Sequence, residues 1–405
     1  MKTVLSEPVP ARRVRQSAKS RVVVLNYTGD RDNWGCQATS RELLKLLTLA
    51  FDRRGEPSFT TVPLIARNGR DKLIKPILSR TIERAMLAKQ QPGIAGRLAT
   101  EAAVRALYRD YLPAIEQADY VVFQAEGTLA ADFYMGLRLL LLPYYARVLL
   151  KKPIYSLNQT IFAGSPRFER VLQSVLSKFD LLAVREPASL DYARSIGLSD
   201  CQFIPDAAFN TVASRENPLL HPEGLRPQQY VCFSGSAVID SVSPERYRQL
   251  ILDTAAKSDG DIVLLGSAAE DRRFFDGLPG TLPNGRRIVA APLDLTYQQV
   301  AAVLRDARLL VSGRFHMAVL AATVATPLVL LPTNTFKNDG LLAMLKYPLP
   351  VRRFSDVEQI ERDIEYVLHR REELSALLLV AKTAISQLAA DGQQLIRTTI
   401  DRIQC

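Results

Sequence analysis

Short apolar runs, each ended by polar residues and followed by a helical stretch, constrain this chain more than any other feature. Residues 21–27 (RVVVLNY), 58–64, 120–124, 153–157, 181–184 and 203–204 read as strands in the first half. Residues 230–233, 262–265, 287–290, 309–311 and 328–331 read as strands in the second, with helices near 244–257, 297–306, 316–325 and 339–346 between them. Apolar runs that do not alternate suit strands buried on both faces, and helices at this spacing supply the crossovers that parallel pairing needs. The expected fold class is α/β, with two Rossmann-like doubly wound domains facing a cleft in a GT-B-like arrangement.

The expected organisation is a basic flexible tail over 1–20, an N-terminal α/β domain over 21–213, a linker over 214–229, a C-terminal α/β domain over 230–355 and helices over 356–405. The linker reading rests on SRENPLLHPEGLRPQQ, which gathers Pro and Gly between two βα series.

In open parallel sheets, ligands sit at the carboxyl ends of strands and at the first turn of the next helix. After 21–27 comes TGDRDNWGCQATS, where Asn33 suits a cap for a helix at 41–51 and Gly35 allows close approach of backbone to a ligand. The run 120–124 leads to Ala125-Glu126-Gly127-Thr128, 153–157 to Asn158-Gln159-Thr160, 181–184 to Arg185-Glu186, and 203–204 to Pro205-Asp206. The run 309–311 turns at Ser312-Gly313 and presents Arg314, Phe315 and His316 at the start of a small-residue helix. A guanidinium and an imidazole at a helix start are placed where a phosphate or carboxylate binds.

Composition narrows the function classes. With only three His, a multi-His metal site is not expected, and the four Cys form no C-x-x-C pair. The formal charge of +10 favours anionic partners. No nucleic-acid signature accompanies it. The most apolar run, 137–150, is broken by Arg138, Pro143 and Arg147 and is too short to span a bilayer. A cytoplasmic protein is expected, with peripheral contact at the inner membrane face left open. Basic residues crowd 67–116, among them Arg67, Lys72, Lys75, Arg80, Arg84, Lys89, Arg97 and Arg105. They read as solvated helix faces or as a landing surface for a lipid-linked, phosphate-bearing acceptor.

The strand ends together resemble the polysaccharide pyruvyl transferase family over roughly residues 21–350. Asn33-Trp34-Gly35 is similar to that family's N-x-G patch, and Ala118–Val122 with the following Gly turn to its second strand motif. Lys152-Pro153-Ile154 with Gln159, and Val184-Arg185-Glu186 with Ser189 and Gly197, resemble its K-P-x…G-Q and V-R-[DE]-x-x-S patches. Pro205–Phe209 resembles its D-P-A-F segment, and Ser312–His316 with Pro327 and Lys337 its S-x-R-x-H block. The chain departs from the family at Ala125-Glu126-Gly127, where Gly-Gly-Gly is usual, and at Gly35-Cys36, where Gly-Asp is usual.

The resemblance implies transfer of pyruvate from phosphoenolpyruvate to a sugar or lipid-linked oligosaccharide, with Arg314 and His316 at the donor. No cofactor and no metal are expected. Arg185, Lys337 and Phe315 join the donor side, since guanidinium groups pair with phosphate and carboxylate. Imidazole ionises near neutral pH, which suits His316 as the acid that protonates the enol carbon. Glu126 or Asp206 is the candidate base, although Asp206 also suits a purely orienting role. Asn33, Gly35, Gln159 and Thr128 are assigned to the acceptor or cleft. The rival reading is a glycosyltransferase using a nucleotide-activated, Kdo-like sugar, with Glu126 as acid/base and Asp206 as nucleophile or orienting group. A non-catalytic assembly subunit is the third reading.

Overall fold

The computed structural model describes residues 19–52, 55–63, 70–89, 91–127, 129, 133–221, 223–238, 243–267 and 269–403. The tail through residue 18, Arg67 and Thr128 lie outside them. The chain forms two parallel sheets. The first is ordered β2-β1-β3-β4-β5-β6, from β1 (Arg21–Tyr27), β2 (Ser58–Pro63), β3 (Tyr120–Glu126), β4 (Ile154–Gln159), β5 (Leu181–Val184) and β6 (Gln202–Phe203). The second is ordered β11-β10-β7-β8-β9, from β7 (Tyr230–Ser236), β8 (Asp261–Leu265), β9 (Ile288–Ala290), β10 (Leu310–Gly313) and β11 (Leu328–Leu330). Pairing is parallel throughout, as in Val23 against Val121 and Val311 against Val329. The strand order reverses beside β1 and β3 in the first sheet and beside β7 and β10 in the second. Those are the points where an open sheet leaves a crevice at its carboxyl edge.

Both faces of the central strands are covered. β3 is buried along its whole length, as are β4 and β7. This explains why these strands read as continuous apolar runs rather than alternating ones. The run 137–150 is a covered helix, Phe133–Tyr144 continuing as a π-helix over Tyr145–Leu149, with Leu137, Leu140 and Leu141 fully buried.

Two helices tie the halves together. The helix Trp34–Phe51 begins a full two turns before the expected start at 41, because the Asn33 side chain accepts from the Cys36 amide at 3.0 Å and caps it there. Its first turn enters the second half: Trp34 Nε1 donates to the Leu295 carbonyl at 2.7 Å, and Trp34 and Ala38 pack in the C-terminal core. The helix Arg371–Arg402 runs the other way. Leu374, Leu378 and Ile385 pack in the C-terminal core, whereas Ile396 and Ile400 join Val22, Val24 and Tyr120 on the first sheet. The segment 214–229 folds onto the C-terminal half through Leu219 and Leu225 and through Asn217, which donates to the Tyr230 hydroxyl at 2.8 Å.

Candidate active site

The two switch points face each other across a cavity of about 220 Å³. Asn33, Gly35 and Cys36 from the turn after β1, Glu126 and Gly127 from the end of β3, and Arg185 from the end of β5 line one wall. Ala237 after β7, Arg314, Phe315 and His316 after β10, and Asn334 and Lys337 after β11 line the other. The strand ends singled out in the sequence therefore converge, and neither half forms the site alone.

Arg185 is the centre of the charge network and is 1 % exposed. Its Nη1 donates to Asp206 Oδ2 at 2.9 Å and stands 3.1 Å from His316 Nε2. Its Nε donates to Thr160 Oγ1 at 3.2 Å and lies 3.7 Å from Glu186 Oε2. The guanidinium also covers the Phe315 ring, 4.3 Å from its centroid. Two carboxylates against one buried cation satisfy the rule that buried charge must be paired.

Asp206 is a fully covered anchor and does not line the cavity, which removes it as a base for an incoming hydroxyl. It accepts from Thr39 Oγ1 at 2.8 Å, from the Ala208 amide at 2.9 Å and from Arg185, and Oδ2 is 3.3 Å from His316 Nε2. Burial raises its pKa, but His316, Arg185 and the Ala208 amide outweigh burial and hold the carboxyl well below the usual range. Glu186 goes the other way: burial pushes it up, against Arg185, Ser189 and Thr160. Gln159 likewise lies beneath the cavity, fully buried, with Oε1 accepting from Ser156 Oγ at 2.7 Å.

His316 Nε2 stands between a donor, Arg185, and an acceptor, Asp206. Either ring tautomer finds a partner there, so moving a proton on this imidazole strands no buried group. Gly35, where the sequence suggested close approach of backbone to a ligand, lines the cavity and also backs onto His316. A Cβ at Gly35 would stand 2.4 Å from His316 Cβ, so this glycine makes room for the imidazole.

Arg314 is held by a residue the sequence did not single out. Its Nε and Nη2 donate to Asp271 Oδ1 at 3.0 and 2.7 Å, and Asp271 is fully buried. Asp271 in turn needs Gly235, where a Cβ would meet Oδ1 at 1.8 Å. Gly235 sits within the Ser-Gly-Ser end of β7, a polar strand end like those used above. Asp271 lies in a charged run with no distinguishing pattern.

Lys337 Nζ donates to Asn334 Oδ1 at 2.8 Å and lies close over Gly127, whose hypothetical Cβ would be 3.1 Å away. Burial first, and Arg185 next, bring its pKa down to about 7. Glu126 reaches in from β3. Its Oε1 accepts from Thr28 Oγ1 and from Gln124 Nε2, the latter at 3.0 Å. Cys36 Sγ lies 3.8 Å from its Oε2. Burial, and then Glu126, push that thiol up, so it stays protonated and is no nucleophile. The Glu126 backbone has φ of 50°, the left-handed region that disfavours a side chain. No group of His, Cys, Asp and Glu able to hold a metal is present among the described residues.

Comparison of the fold with solved structures gives sugar-processing enzymes of GT-B architecture. UDP-N-acetylglucosamine 2-epimerase from Rickettsia bellii matches with TM-score 0.53 at 13% identity, over 95% of this chain and 99% of that one. The α,α-trehalose 6-phosphate synthase from Burkholderia multivorans matches with TM-score 0.57 at 13% identity, over 96% and 100%. At such identity the likeness shows the fold alone. No curated protein matches the sequence. A family model described as polysaccharide pyruvyl transferase matches residues 33–335, from the helix cap at Asn33 to the loop just before Lys337. The match runs through both sheets and both walls of the cavity, and the chain belongs to the polysaccharide pyruvyl transferase family, a family of transferases.

Proposed function

We propose that the protein transfers pyruvate from phosphoenolpyruvate to two hydroxyls of one sugar, in a cell-surface polysaccharide or its lipid-linked precursor, forming a cyclic ketal in the cytoplasm. The observation that carries this reading is the meeting of Arg185, Arg314, Lys337 and His316 around one small cavity. At about 220 Å³ it is smaller than the ~300 Å³ at which sites for drug-sized ligands begin. It suits a three-carbon donor bearing a phosphate and a carboxylate.

In the reaction, C3 of the donor gains a proton and becomes a methyl group. One hydroxyl oxygen bonds to C2, the C2–O bond to phosphate breaks, and the second hydroxyl closes the ketal. Of the two hydroxyl protons, one balances the proton gained at C3 and the other leaves with phosphate. Arg314 and Lys337 are assigned to the two anionic groups, and Arg185, stacked on Phe315, to the negative charge that gathers on the departing phosphate. His316 delivers the proton to C3. Glu126 takes the proton of the attacking hydroxyl, and Asn33 caps the helix that brings Cys36 and Gly35 to the acceptor side. Asp206 keeps Arg185 and His316 in register.

A donor that binds only the folded state raises the melting temperature by mass action. Phosphoenolpyruvate is expected to raise it, Arg314→Ala to abolish the rise, and CMP, UDP and GDP to have little effect. His316→Ala is expected to keep the rise while turnover falls by roughly 10²–10⁴-fold. A rise with one nucleotide and none with phosphoenolpyruvate would replace this donor with a nucleotide-activated sugar.

A further inference from the structure

The face of the N-terminal half opposite the cavity carries a groove that the reaction does not use. It lies at the amino ends of β4 and β5, has a volume of about 860 Å³, and is lined by Lys89, Arg147, Lys151 and Lys178 together with Gln91 and Phe179. Arg147 is neutralised by Asp180 at 2.8 Å. Lys89 and Lys151 are exposed, and Lys178, half-buried, hydrogen-bonds to Ser174 Oγ at 3.0 Å. The rim of this groove passes directly into the helix Ile94–Tyr108, three residues beyond Gln91. Three residues reach at most about 11 Å, so the start of that helix borders the groove.

The start of that helix presents two aliphatic residues to solvent, while Val104 and Leu107 further along are buried in the core. Ile94 is 81% exposed and Leu98 is 59% exposed, one helical turn apart on the same face. Arg84, Lys89, Arg97 and Arg105 are exposed around them. From residue 83 to residue 108 the acidic side chains are Glu83 and Glu101, and each is already paired. Glu83 is bound to Arg167, and Glu101 accepts from Arg97 Nε at 3.1 Å. The patch therefore combines protruding aliphatic side chains with uncompensated positive charge. These are the two features that hold a protein at an anionic bilayer: apolar residues entering the headgroup boundary and lysines lying in the negative surface potential.

We propose that the groove of Lys89, Lys151 and Lys178, with Ile94 and Leu98 at its rim, docks the protein on a membrane surface of anionic phospholipid. The headgroups lie against the lysines and the two aliphatic side chains enter the boundary. The contact tethers the protein and leaves the interdomain cavity, at the other end of the strands, open to substrate. It stands independently of which donor the cavity takes.

The test is co-sedimentation of the full chain with vesicles of phosphatidylcholine alone and of phosphatidylcholine with phosphatidylglycerol. Partition is expected with the anionic vesicles, to weaken with added salt, and to be far smaller with the neutral ones. Lys89→Gln with Lys151→Gln is expected to lower it about 25-fold, about fivefold for each lysine. Ile94→Ser with Leu98→Ser is expected to lower it roughly tenfold, through lost apolar insertion. Unchanged melting temperatures in both double variants confirm that folding is intact. Equal partition to the two vesicle types, no partition, or undiminished partition of either double variant would overturn the proposal. So would release by inorganic phosphate at matched ionic strength, which would make the groove a site for a free anion.

Discussion

Glu126 shows in a single residue how a function is held against local preference. Its φ of 50° is a backbone state that costs a side chain about 1–2 kcal/mol, and glycine would adopt it freely. Glycine would hold this backbone at no cost, so the carboxylate is an addition that the chain pays for. Thr28 and Gln124 both have a second partner in Ser40, at 2.9 and 2.7 Å, so removing the carboxylate strands neither. Glu126→Gly is therefore expected to leave the melting temperature unchanged or higher while turnover falls by roughly 10²–10⁴-fold, the range for a lost general base. Normal turnover in that variant would dismiss the carboxylate from the chemistry.

Lys337 supplies a pH dependence. Its pKa near 7 lies well below the value of an unfolded lysine, so between the two the unfolded chain binds more protons. Its penalty on folding is full below about 7 and is relieved as pH rises above that value. Donor binding runs the opposite way, because only the ammonium form attracts the anionic donor. Calorimetric titration with phosphoenolpyruvate is expected to show affinity falling as pH rises through 7, with Lys337→Met weaker and nearly flat over the same span. An affinity that rises through that range in the wild-type chain would show that Lys337 is not a donor cation.

Among the elements, the first turn of the helix Trp34–Phe51 does most to assemble the site. It is anchored in the far half by Trp34 and backs directly onto His316 through Gly35. A methyl at Gly35 would stand 2.4 Å from His316 Cβ, so either the helix or the imidazole must move. Displacement of about 1 Å at a reacting group costs on the order of 10²-fold in rate. Gly35→Ala is expected to lower kcat by about that factor with the secondary structure intact by circular dichroism. A variant with wild-type kcat would show that the imidazole position is not critical.

For the whole molecule, the helix Arg371–Arg402 sets how the halves sit. By length and composition it is the one described helix apolar enough to cross a membrane. Some of its apolar side chains are used in the two cores, Leu374 and Leu378 in one half and Ile396 and Ile400 in the other, while Leu379 and Val380 face solvent. Gly392 lets it pass the first sheet, since a Cβ there would be 2.6 Å from Ile204 Cγ2. Ile396→Ala is expected to cost about 2–5 kcal/mol in urea unfolding, as for a buried isoleucine in a sealed core. A loss below about 1 kcal/mol would mean that this end of the helix is not packed as described.

Sequence by itself determined the strands, the parallel α/β class and most of the cavity wall. Those signals are local: an apolar run, the polar stub that ends it and the helix that follows. Asn33, Glu126, Arg185, Arg314 and His316 were legible because ligand-facing residues occupy those stubs, and Lys337 through the family resemblance. The start of the first helix was misplaced by two turns, although the Asn33 cap that sets it was recognised. Tertiary structure alone decided which stub residues are covered. Gln159 and Asp206 end strands as Glu126 does, yet neighbouring elements bury them and leave Glu126 at the surface of the cavity. It alone gave Gly35 its neighbour and Arg314 its buried partner Asp271, 43 residues away in the chain. Pairing such as that of Arg314 with Asp271 depends on which strand ends one sheet sets side by side, and that of Gly35 with His316 on how the two sheets face each other, properties that no local pattern of residues encodes.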